Sequence, residues 1–234
     1  MEQETNKKSV LLILINVLFF GALWGILEAT LGTLLHLPFF DKAGMYMAST
    51  TIMLPIAYFL MANCYKKTDS FYAVFLMGIV ASLIKLSVAF VLGFIPSVYN
   101  PAIYIVVESL MMGSALAIFR PKNVLSLRTF GAVVLANTLY QFSYLMINWA
   151  MGGTNVFASK EVWQNVGEKY LFKFNCVAIL YFGGVSALSY LVLQLFAKYN
   201  VRIKFDFNKI INSPIAAGVT LAVALTLSMT LALI

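Results

Sequence analysis

Three ionisable side chains, Glu28, Lys85 and Glu108, lie inside long apolar runs of this chain. In hydrocarbon such a group costs about 3 kcal/mol or more, so each must be paired, neutralised or put to use. Two carboxylates and one ammonium at a common depth have two plausible uses. They can orient a small polar ligand in a pocket, or they can pair as Glu28–Lys85 or Glu108–Lys85 and merely hold helices together. The surplus of one carboxylate favours the pocket, because it leaves an acceptor for a cationic or donor-rich ligand.

Helical spacing gives these charges a context. Gly21, Gly25, Glu28 and Gly32 recur at steps of 4, 3 and 4 residues, and so do Gly78, Ser82, Lys85 and Ala89. Residues spaced this way share one helix face. Each charge therefore sits on a stripe of small residues, which let helix backbones approach closely. Such a face turns toward other helices or a cavity, away from lipid. Asn137, Gln141, Tyr144 and Asn148 repeat the spacing as a polar and aromatic stripe. Trp24, Tyr104, His36 and Asn175 fall where they can join the same region. Polar groups would orient the ligand and aromatic rings would supply contact area.

Familiar reaction chemistry is missing. The sequence holds no G-x-x-x-x-G-K-[ST], no H-E-x-x-H and no G-x-S-x-G. Asp41, Asp69 and Asp206 all fall between apolar runs, so no pair of aspartates offers intramembrane proteolysis. The single histidine, His36, and the separated Cys64 and Cys176 give no metal-ligand spacing. The expectation is a protein without catalytic residues, cofactor or metal.

The elements that must position these residues are transmembrane helices. Of the 234 residues, 62% are hydrophobic and 11% charged. A soluble domain carries roughly a quarter charged residues. A bilayer core needs about 20 apolar residues per helix. Segments 10–35, 44–64, 71–94, 101–119, 127–150, 174–197 and 212–234 meet that length. The fold class is thus an all-α polytopic bundle of six to seven spans in one domain, with Pro55 kinking the second. The net charge of +7 sits in the short gaps, which points to lipid and orientation and away from nucleic acid. With the N-terminus cytoplasmic, eleven Lys and Arg fall inside and four outside, with Lys85 within a span. That bias orients the chain in a cell membrane of bacterial type. It puts Glu28, Lys85 and Glu108 at mid-depth or in the outer half.

The phrase Gly21-Ala22-Leu23-Trp24-Gly25 followed by Glu28 and Gly32, the short loop with Pro38, Gly78-Ile79-Val80-Ala81, and Pro101 through Glu108 to Gly113 together carry a likeness. Over roughly residues 10–197 the chain resembles the substrate-binding S component of energy-coupling-factor vitamin transporters. That resemblance implies a small helical protein that captures a vitamin-like molecule near the outer face. It implies partners: a transmembrane coupling subunit and its ATPases. In that picture Gly21, Gly25, Gly78 and Ser82 form the docking stripe, and Glu28, Lys85, Glu108 and Gln141 lie in the binding region. A self-sufficient secondary transporter or channel, and a non-catalytic membrane scaffold, are the alternative readings.

Overall fold

A computed structural model describes residues 2–32, 48–94, 96–150 and 207–233, together with 175–176, 179–180 and 182–184. The described residues form helices without a strand. They are α1 (Glu2–Leu27), continued by a π-helical turn (Glu28–Gly32), then α2 (Ala48–Thr68), α3 (Phe71–Leu86), α4 (Ala89–Leu92) and α5 (Pro96–Phe119). Next come α6 (Leu127–Ala150), α7 (Phe207–Ile211) and α8 (Pro214–Leu231).

Among the described residues four stretches are long and apolar enough to cross a membrane: Val10–Leu31, Phe71–Leu92, Tyr99–Phe119 and Pro214–Leu231. Helices α2 and α6 match them in length, at 21 and 24 residues. They are less apolar because they carry groups such as Lys66 and Lys67, or Asn137 and Gln141. The expected spans at 44–64, 127–150 and 212–234 thus coincide with helices α2, α6 and α8. Most of the expected span at 174–197 lies outside the described residues, as do His36, Pro38 and the 151–172 connection.

Local sequence explains the helix ends. Ser70 caps α3 by accepting a hydrogen bond from the Ala73 amide, and Ser213 does the same for Ala216 in α8, with Pro214 opening that helix. Asp69, at φ 47°, closes α2 immediately before the Ser70 cap. One left-handed residue therefore turns the chain between two helices. Pro101 falls within α5 rather than ahead of it.

Helix α1 packs on α3 and α8, α3 on α5, and α5 on α6, while α2 lies against α1, α3 and α5. The main core gathers where these meet, around Trp24, Tyr58, Met61, Met77, Met112 and Val133. Exposed Leu83, Phe90, Ile118 and Val219 face outward, as lipid-facing residues do. The short α7 is tied to the bundle by Lys67 Nζ donating to Asn208 and by Asn16 Nδ2 donating to Asn212 Oδ1 at 3.2 Å.

The small residues make the close contacts possible. A Cβ on Gly21 would stand 2.7 Å from Val80 Cβ, and one on Gly25 would stand 2.6 Å from Ile84 Cδ1. Gly78 abuts Ser109 of α5. Ser82 Oγ donates to the Ala102 carbonyl of α5 at 2.9 Å. The stripe that the sequence assigns to a docking partner is thus filled from within the chain, by the α1–α3 and α3–α5 interfaces. Ser82→Ala removes a buried interhelical bond and is expected to cost about 0.6 kcal/mol, with about 1.7 as the ceiling. Thermal unfolding of the purified protein in detergent measures it.

Candidate functional site

Two of the three charged residues, Glu28 and Lys85, sit where helices lose regularity, while Glu108 lies within the continuous α5. Helix α1 keeps α geometry through Leu27 and then widens to a π-helical turn that begins at Glu28. Such widened turns occur often at functional sites, because the extra residue re-aims a side chain. Helix α3 breaks one residue after Lys85. Ser87 turns back, its hydroxyl donating to the Ile84 carbonyl at 2.6 Å, before α4 resumes at Ala89. Ser228 of α8 donates to the same carbonyl at 3.1 Å. A broken helix at membrane depth is tolerated only where protein or a cavity satisfies the freed backbone groups. Here the two serines do so.

From these irregular points the side chains converge. Trp24 is fully buried and its Nε1 donates to Glu28 Oε1 at 3.3 Å. Lys85 lies near Glu28, and Glu28 lies near Glu108. Among the described residues no direct ion pair joins Lys85 to either carboxylate. Glu108 is 6% exposed, and among the described residues its Oε1 has no hydrogen-bond partner. Tyr58 of α2 and Tyr140 of α6 lie near Glu108, on two further helices. The Tyr58 hydroxyl is buried and also unpartnered. Tyr144 stacks obliquely on Tyr104, ring centroids 4.8 Å apart, and reaches Tyr140 at 6.5 Å.

The structure therefore brings Trp24, Glu28, Lys85 and Glu108 to one region, and joins Tyr144 to it through Tyr140. Asn137 belongs to a neighbouring network. Its Nδ2 donates to Asn175 Oδ1 at 2.8 Å, and Asn175 donates to Thr138 at 2.9 Å. Asn137 Oδ1 is left buried without a partner. Gln141 is buried beside Tyr140 and bonds to neither carboxylate among the described residues. The Asn148 side chain lies outside the described residues. Gly21, Gly25, Gly78 and Ser82 stand behind the site as helix spacers.

Sequence reasoning missed Tyr58 and Tyr140. Tyr140 had a findable signal, since it falls three residues after Asn137 and four before Tyr144 on the same helix. Tyr58 had none beyond its position three residues after Pro55.

The arrangement is rich in acceptors. Among the described residues, two carboxyl groups and tyrosine hydroxyls lie near one ammonium and one indole N–H. Among the described residues no three His, Cys, Asp or Glu side chains cluster as metal ligands. The fold and site define an all-helical chain, with helices fit to cross a membrane, around a buried polar centre. No family model, curated protein or solved structure matches the chain.

Proposed function

We propose that this chain is a substrate-capture subunit of a cell membrane, taking up a vitamin-sized solute with energy supplied by partner ATPase subunits. It crosses the bilayer six to seven times with its N-terminus in the cytoplasm, and its polar centre opens outward. Lipid surrounds the apolar helix faces. A transmembrane coupling subunit passes the energy of ATP hydrolysis to it. The observation that supports this reading is Glu108. A carboxyl group that is 6% exposed, with an oxygen unpartnered among the described residues and a second carboxyl nearby, is costly unless something enters to meet it.

The resemblance to S components motivates the ATPase partners. Their docking surface lies on faces other than the Gly21–Gly25–Gly78–Ser82 stripe, which the bundle itself occupies.

The test joins binding to uptake. The purified chain in lipid nanodiscs should bind a vitamin-sized solute, and Glu28→Gln with Glu108→Gln should weaken that binding about 100-fold, roughly tenfold for each charge-assisted bond lost. Cellular uptake should fall in parallel and should require ATP-hydrolysing partners that co-purify. Unchanged uptake by the double variant would reject the reading. So would accumulation driven by a proton gradient in vesicles holding this chain alone, which is how a secondary transporter would behave.

A further inference from the structure

Among the described residues the acidic side chains at the centre outnumber the basic ones. Glu28 and Glu108 bring two carboxyl groups, and Lys85 brings one ammonium. Among the described residues no ion pair joins Glu108 to a cation, and the Glu28 carboxyl lies near it. Acceptors are also in excess. Among the described residues Glu108 Oε1 and the Tyr58 hydroxyl are both buried without a hydrogen-bond partner, and Tyr58 lies near Glu108. Tyr58 can donate one hydrogen bond, which still leaves the carboxylate lone pairs unmet. Buried polar groups are rarely left so. Aromatic rings complete the surroundings: Trp24 on Glu28, Tyr140 facing Glu108, and the Tyr104–Tyr144–Tyr140 series.

We propose that the ligand of this centre is a small organic cation, a protonated amine, whose N–H groups bond to Glu108 Oε1 and to the Tyr58 hydroxyl while the tyrosine rings flank its body. The proposal rests on the capture reading and narrows it to a charge class. A protonated amine brings positive charge and N–H donors together to two carboxyl groups, and aromatic faces attract cations. An anionic ligand would meet two carboxyl groups against one lysine. A hard metal ion would demand about six or more oxygen ligands for calcium. The centre offers two carboxylates and a few phenols.

Three probes with one common body test the class: 2-phenylethylamine, 2-phenylethanol and phenylacetate. Binding to the full chain in nanodiscs is read by calorimetry and by tryptophan fluorescence, since Trp24 sits in the site. The amine should bind about 10-fold or more tighter than the alcohol, as a charge-assisted bond would give, and the carboxylate should bind weakest. Glu108→Gln should bring amine and alcohol to within about 2-fold of each other, with the charge gone from the acceptor. Tyr72→Phe, on an exposed face of α3, should change nothing. If Glu108→Gln does not fold, Tyr58→Phe keeps the ring and deletes the hydroxyl, and it should still weaken the amine selectively. Equal or tighter binding of the alcohol or carboxylate overturns the proposal, as does failure of the amine to bind at millimolar concentration. An amine preference that survives both substitutions also overturns it. Neutral and anionic vitamin-sized solutes run in parallel separate the two readings. Tight binding of one of these, lost in Trp24→Phe, leaves capture standing and removes the cation class. No binding by any solute removes both.

Discussion

Gly78→Ala should be among the most damaging single-methyl additions to this chain. The new Cβ would fall within the van der Waals envelope of Ser109 Oγ and Cβ, on the helix with which α3 makes its most extensive contact. Ser109 is itself fully buried, with its hydroxyl donating to the Val106 carbonyl at 2.8 Å, so it cannot swing away without losing that bond. The backbones of α3 and α5 must then separate. Overpacking of this kind costs about 1–3 kcal/mol, and a rigid neighbour places it at the upper end. For a chain of this size that is a fall of roughly 6–12 °C in the unfolding midpoint. Ser109→Gly in the same chain should restore at least half of the loss, because it removes the atoms the methyl strikes. Gly218→Ala is the internal control. Gly218 is exposed on α8 with nothing near its Cβ position, and there the better helix former should leave the midpoint unchanged or raise it. Equal effects at the two positions would mean that α3 and α5 are not in contact at Gly78.

The glycines illustrate what could be read from residues alone and what could not. Their spacing located the faces on which helices approach, and those faces are where α1, α3 and α5 meet. A small-residue stripe says that something packs closely, and nothing in it says whether the neighbour belongs to the same chain. The convergence of Glu28, Lys85 and Glu108 was legible for a firmer reason, since each charge stands within an apolar run and must turn inward. The tyrosines were less so, because a tyrosine within such a run serves equally at an interface, in a core or in a site. Two features had no local signal. Nothing in Glu28-Ala29-Thr30-Leu31-Gly32 announces a π-helical turn, and no proline or glycine marks the break at Ser87 and Val88. At the break in α3, Ser228, far along the chain, adds a bond to the Ile84 carbonyl that Ser87 already engages. A long-range contact thus meets the break, and Glu28 and Lys85 stand at the two irregularities.

Glu108→Met should stabilise the empty protein while abolishing ligand binding, and the sign of the first effect decides what Glu108 is for. Methionine nearly matches glutamate in length and fits the apolar surroundings given by Tyr58, Ile105 and Met112. The substitution removes a buried carboxyl group with an oxygen unpartnered among the described residues. Deleting an unsatisfied group of this kind contributes about 1–3 kcal/mol, and replacing buried charge by well-packed apolar volume is often stabilising by a similar amount. Were Glu108 instead the structural partner of Lys85, its loss would strand an ammonium and destabilise the chain by about 3–5 kcal/mol. The two roles therefore predict opposite shifts in unfolding midpoint, measured without ligand in one detergent. Lys85→Met supplies the matching arm. It removes the cation that lies near Glu28 among the described residues and should destabilise, whether or not Glu108 is present. In the double variant Lys85→Met/Glu108→Leu the two changes should simply add, as they do for groups without a direct bond. A destabilised Glu108→Met, together with a double variant as stable as the parent, would make these residues a brace between helices. A stabilised Glu108→Met that binds nothing marks a group kept at a cost in stability because the ligand needs it.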